Sequence, residues 1–187
     1  MLVFNTLLIF KASNAILLIQ TAMTNLKPIA LILCTLFIAT NANLIEETCM
    51  QTPNHDLCVQ YLQADPHSSD ADVSGLALIM VNVIKTKAKN ALVKIHQLLQ
   101  GSPEPGQKEA LNTCGGQYNA ILVADVPQAI ASLQKGDPKF AVDSANDAAI
   151  EATSCENNFS GKSPLTNDNN SMHDVAAVTS AIVKLLL

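Results

Sequence analysis

The chain has 187 residues, with 11 basic residues against 16 acidic ones, a formal net charge of −5 and no arginine. Hydrophobic residues make up 49% of it, aromatic ones only 4%, and tryptophan is absent. An acidic, arginine-free chain argues against nucleic acid and anionic membranes as partners, and the length suffices for one domain with a proper core.

Residues 1–42 read as a leader with two apolar runs. The second has the anatomy of a secretory signal: Lys27 as the positive region, Ile29–Ala39 as the apolar stretch and Thr40-Asn41-Ala42 as a small-residue cleavage site. Met23 stands just upstream, so the signal proper is expected at 23–42, with 1–22 an upstream extension. The apolar stretch falls short of the roughly 20 residues that span a bilayer. Cleavage is therefore expected, with no stable membrane association afterwards. It removes Cys34 from a total of five cysteines and leaves an even number. It also removes Lys11 and Lys27, so the remainder, 43–187, is more acidic still.

Two short helices follow, Leu44–Thr52 and Asn54–Gln63, parted by Pro53. Ala64–Ser69 reads as a turn-rich linker. A long amphipathic helix is expected over Asp72–Gln100, with Val73, Leu76, Met80, Val83, Ala88, Leu92, Ile95 and Leu99 as its apolar stripe. Lys85, Lys87, Lys89 and Lys94 read as its solvated face. A second long helix, Gln107–Lys135, should kink at Pro127, and Gly115-Gly116 weakens it while permitting a close helix approach. A third spans Pro138–Asn157, with Asp137 as N-cap and a buried face of Phe140, Ala141, Ser144, Ala148, Ala152 and Cys155. Ser160–Asn169 reads as a loop, and the last helix starts at Asn170 or Ser171. No alternating strand pattern is present. The fold class expected is all-α: an antiparallel four-helix bundle over 72–187 preceded by a helical hairpin over 44–63.

The four remaining cysteines support that topology. Cys49 and Cys58 lie symmetrically about Pro53, and Cys114 and Cys155 about Gly136-Asp137-Pro138. Residues equidistant from the turn of an antiparallel hairpin lie side by side. Of three pairings, only Cys49–Cys58 with Cys114–Cys155 respects both symmetries, and disulfides suit an exported chain.

Little enzyme chemistry is visible. His55, His67, His96 and His173 are scattered without metal-ligand spacing, and neighbours such as His55 and Asp56 do not face each other on a helix. No nucleophile elbow, phosphate loop or zinc signature occurs, so neither cofactor nor metal is expected. The chain reads as a binder. Asn158-Phe159-Ser160 and Asn169-Asn170-Ser171 are sequons, making Asn158 and Asn169 glycosylation candidates.

Several segments resemble one family. Thr48-Cys49-x8-Cys58, Ala64-Asp65-Pro66, Ala71-Asp72-Val73-x-Gly75-Leu76-Ala77, Gly136-Asp137-Pro138-Lys139-Phe140-Ala141, Cys155-Glu156-x2-Phe159, Ser163-Pro164-Leu165-Thr166 and Asp174–Thr179 are similar to the plant invertase/pectin methylesterase inhibitors. The resemblance covers nearly all of 43–187. It implies a four-helix bundle with an N-terminal hairpin and an inhibitor rather than an enzyme. It also implies a target-binding triplet, Pro138, Lys139 and Phe140, that enters the sucrose pocket of an acid invertase in the cell wall or vacuole. Read by spacing alone, the same triplet is ordinary helix-opening chemistry, with Phe140 open between core and contact. The runner-up is a pectin methylesterase inhibitor that uses the bundle side. A secreted structural or ligand-binding protein is the third reading, and the scarcity of aromatic residues weighs against it.

Overall fold

Asparagine and aspartate caps, proline at helix starts and long alanine- and leucine-rich runs make helix the local preference over most of the chain. The computed structural model describes residues 44–187, which fall within one unit, Asn41–Leu187. The expected leader, with Met23, Lys27 and Cys34, lies outside the described residues. Every regular element among the described residues is helical, as the fold class required.

α1 (44–49) and α2 (His55–Ala64) form the hairpin. Asn54 caps α2 by accepting from the Leu57 N–H at 3.2 Å, and the Cys49–Cys58 disulfide joins the two helices. His55 makes polar contacts to Glu46 at 2.9 Å and to Asp56 at 3.1 Å. The Asp56 contact, like that of His173 with Asp174 at 3.4 Å, corrects the expectation that such sequence neighbours do not meet: on an exposed helix surface the ring nitrogen nearest the backbone can reach the adjacent carboxylate. The linker is likewise more ordered than a turn-rich reading implies. Pro66–Asp70 is a 3₁₀ helix, with Asp65 accepting from the His67 N–H at 2.9 Å.

The bundle consists of α3 (Val73–Gln100), a composite helix, α6 (Pro138–Asn157) and α7 (Thr166–Lys184). The composite runs α4 (Pro105–Ala120), a π-helical segment (Ile121–Asp125) and α5 (Val126–Lys135). α6 packs against α5 and α7, and α3 against α4, α5 and α7. Because α3 touches neighbours on two sides, its buried face is wider than the expected single stripe. Leu76, Met80, Ala88 and Ile95 are buried as expected, and Ala77, Ile84 and Ala91 join them.

Three features of the composite helix differ from the sequence reading. α4 starts at Pro105 rather than Gln107, because proline fits the first turn, where its missing N–H has no intrahelical partner. Pro127 is accommodated by the π segment. Proline has no N–H for an i→i−4 bond, and its ring crowds the carbonyl four residues back. A wider turn relieves this, and the Val126 N–H bonds to the Ile121 carbonyl, five residues back. Gly115 and Gly116 permit no unusually close approach: a Cβ on Gly115 would sit 3.8 Å from Ile95, and one on Gly116 would meet nothing within 4 Å.

α7 begins at Thr166, not at Asn170 or Ser171. Its Asn/Asp-rich start has poor helix propensity, but tertiary bonds override it. Thr166 Oγ1 lies 2.6 Å from Glu156 Oε1, and Asn169 Nδ2 donates to Glu156 Oε2 at 2.6 Å. Two lysines expected to be simply solvated act as tethers between α3 and α7. Lys94 pairs with Asp168 at 2.6 Å. Lys87 donates to Ser171 Oγ at 2.6 Å and lies 5.3 Å above the Tyr61 ring.

Candidate functional site

The turn between α5 and α6 is shaped by backbone hydrogen bonding. Gly136 takes φ 72°, a left-handed conformation that costs glycine nothing. Its N–H bonds to Leu133 O at 3.2 Å, and the Asp137 N–H bonds to Ser132 O at 2.9 Å. These two bonds make a Schellman closure of α5. Asp137 then holds the N-cap position of α6, but its side chain makes no capping bond. This corrects the capping role read from the sequence. Its backbone is committed to closing α5, and φ −116°, ψ 75° places it outside the extended region usual for a cap.

Pro138 occupies the first turn of α6 and fixes its own φ near the helical value. Lys139 is exposed and Phe140 is 49% exposed. Phe140 is thus not part of the core. The packed stripe of α6 starts one residue later, at Ala141, and continues through Ser144, Ala148, Ala152 and Cys155. Among the described residues, no ion pair engages the Lys139 ammonium. The triplet therefore presents a free cation and half an aromatic ring at one end of the bundle.

Beyond this end, the Cys114–Cys155 disulfide links α4 to α6 with a Cα–Cα distance of 4.8 Å. Next to it lies a polar network absent from the sequence reading. The buried Tyr118 hydroxyl donates to Asn169 Oδ1 at 2.8 Å. Asn169 and Thr166 bind the Glu156 carboxylate, and Thr166 Oγ1 also reaches the Ser163 carbonyl at 3.0 Å. Burial first, then the charges of Asp168 and Glu156, raise the Tyr118 pKa and keep the phenol neutral. At Glu156, burial opposes ionisation, but hydrogen bonds involving Thr166, Asn169 and Ser163 outweigh it and lower its pKa. Glu156, Ser163 and Thr166 all lie in segments that carried the family resemblance. Their place in those segments was the only signal that pointed toward the network.

The structure separates the two sequons. Asn158 is exposed at the C-terminal end of α6, whereas Asn169 is 2% exposed. Among the described residues, no group of three or more His, Cys, Asp or Glu side chains is arranged to hold a metal ion. No helix there is long and apolar enough to cross a membrane.

Comparison with known proteins agrees with this architecture. The family model described as plant invertase/pectin methylesterase inhibitor matches residues 43–184. A relative from Arabidopsis thaliana, "Cell wall / vacuolar inhibitor of fructosidase 1", is 46% identical over 140 residues, covering 75% of this chain and 67% of the relative. A "Pectinesterase inhibitor" from Actinidia deliciosa is 32% identical over 119 residues, 64% of each chain. A crystal structure of a mutant pectin methylesterase inhibitor from Arabidopsis superposes with TM-score 0.65 at 20% identity, covering 74% of this chain and 94% of that one; this likeness speaks for the fold. The match over 43–184, together with the 46% identical relative, places the chain in the plant invertase/pectin methylesterase inhibitor family.

Proposed function

We propose that the protein is exported and inhibits an acid invertase (β-fructofuranosidase) of the cell wall or vacuole by forming a stoichiometric complex, with Lys139 occupying the sucrose-binding site. The observation that carries the reading is the mounting of Lys139: an unpaired ammonium on a proline-fixed helix start, in a chain 46% identical to a protein named as an inhibitor of fructosidase. Glycosidases place a pair of carboxylates about the scissile bond. An ammonium inserted there gains charge-assisted hydrogen bonds and fills the space of the substrate. Pro138 reduces the ordering lost on docking, and the exposed part of Phe140 supplies apolar contact at the rim. The test is inhibition of purified acid invertase by the disulfide-bonded protein and by Lys139→Ala. The variant is expected to keep its helical spectrum and melting temperature while losing at least tenfold in affinity, since a charged pair cut at an interface costs about 2 kcal/mol or more. A well-folded Lys139→Ala that inhibits equally well removes Lys139 from the site.

The similarity to pectinesterase inhibitors supports a second reading, in which the bundle side covers the cleft of a pectin methylesterase. Assaying that enzyme in parallel separates the two. Inhibition of pectin methylesterase alone, insensitive to Lys139→Ala, would replace the first reading with the second.

A further inference from the structure

We infer that the exported protein carries a single N-linked glycan, on Asn158, and that its second sequon is closed by the fold. The inference rests on the export reading above. Asn158 is exposed and ends α6, and just beyond it Ser160 and Gly161 take positive φ of 51° and 85° in the turn that follows. Among the described residues, the one hydrogen bond given by the Asn158 side chain is long, Nδ2 to Gln117 Oε1 at 3.4 Å. Beside it lies an open groove of about 430 Å³ lined by Glu104, Gln107, Ala110, Phe159 and Lys162. A first sugar ring therefore meets open space and the edge of an aromatic side chain rather than packed protein.

The two residues that define the other sequon, Asn169 and Ser171, are both engaged. Asn169 Nδ2 donates to Glu156, its Oδ1 accepts from Tyr118, and Ser171 Oγ accepts from Lys87. Asn169 is moreover inside α7 and buried. A glycan there replaces a hydrogen of a buried nitrogen and forces a sugar into the core, so chains modified at Asn169 do not reach this fold. The transfer requires a lipid-diphosphate oligosaccharide as donor. The Asn158 Nδ2 attacks C1 of the first N-acetylglucosamine, the C1–O bond to the diphosphate breaks, the lipid diphosphate leaves, and the amide gives up one proton. α6 has 20 residues, so the glycan stands roughly 30 Å of helix away from Lys139 and leaves the inhibitory end free.

The test is secretion of the full chain from a eukaryotic host, followed by intact-mass measurement before and after glycosidase treatment and by peptide mapping of the two sequons. The expected result is one glycan, located at Asn158, absent in Asn158→Gln and in Ser160→Ala, with inhibition unchanged in both variants. Secreted protein without a glycan, or folded secreted protein modified at Asn169, overturns the inference alone. Retention of the chain in the cytosol overturns it together with the export reading.

Discussion

Asn169 is held at both ends of its carboxamide, by the Tyr118 hydroxyl and by Glu156. Tyr118 is fully buried, so its hydroxyl has no access to water as an alternative partner. Tyr118→Phe keeps the ring and deletes one oxygen, leaving Asn169 Oδ1 without its donor. An unsatisfied buried acceptor costs about 1–3 kcal/mol, and each kcal/mol is worth about 2–4 °C in a chain of this size. Thermal unfolding should therefore show a drop of several degrees with inhibition retained, because the network lies at the far end of α6 from Lys139. An unchanged melting temperature would mean that the network is structurally idle. Legibility differed between these two residues for a physical reason. The exposure of Lys139 is legible because turn and first-turn chemistry is local: Gly136, Asp137 and Pro138 mark a helix start, while a binding role for the next residue comes from the family resemblance alone. Asn169 reads as a loop residue and a sequon because asparagine in an Asn/Asp-rich run looks the same whether exposed or buried. Its burial comes from partners 13 and 51 residues away in the chain.

The π segment is the irregular element of the bundle, and it ends at Asp125. One carboxylate oxygen of Asp125, Oδ2, is shielded and has no hydrogen-bond partner among the described residues. Around it are the apolar side chains Val81, Ile84, Val126 and Ala129, with Asp147 and Glu151 acting on it from α6. Burial, then repulsion from those two carboxylates, raises its pKa to about 6. A raised folded-state value means that the folded protein binds this proton more tightly than the unfolded chain. Stability therefore falls as pH rises from the ordinary value of 3.8 through about 6, and the penalty stays constant above. His55 acts in the same direction: hydrogen bonds to Asp56 and Glu46 raise its pKa, so its contribution is present in acid and lost as pH rises through its folded value. Glu156, with a lowered pKa, acts oppositely and loses its contribution only in stronger acid. The bundle should thus be more stable at pH 5 than at pH 7.5. Asp125→Asn, which mimics the protonated acid, should stabilise the protein at pH 7.5 and have little effect at pH 5. Equal effects at the two pH values would clear Asp125 of the role. Pro127 announced a disturbance in this helix, but not its form. A kink and a widened turn both relieve the same clash, and the choice depends on how α3 and α6 pack against the segment.

At the scale of the whole molecule, the cysteine arrangement was the most readable feature, because symmetry about a turn is a long-range statement that sequence alone can make. Both expected pairs are present, and all four cysteines are fully buried. The two bridges differ in what they join. Cys49–Cys58 closes a separation of 9 residues inside the hairpin, whose hold on the bundle comes from packing against α3 and α7 and from the Tyr61–Lys87 contact. Cys114–Cys155 closes 41 residues, a loop that contains the π segment, α5 and the turn that carries Lys139. In the chain-entropy model, the short bridge contributes about 2.7 kcal/mol and the long one about 4 kcal/mol by restricting the unfolded chain. Set against a domain stability of about 5–15 kcal/mol, the long bridge decides whether the bundle tolerates warm or mildly denaturing conditions. The paired variants Cys49→Ala/Cys58→Ala and Cys114→Ala/Cys155→Ala should both unfold at lower temperature than the parent, with the second pair lower than the first. The first pair should keep its inhibition at temperatures where it stays folded, since the Lys139 end of the bundle does not pass through the hairpin. A hairpin variant that melts below the bundle variant would show that loop length does not set the order here, and that the hairpin's packing on α3 and α7 is the larger support of the fold.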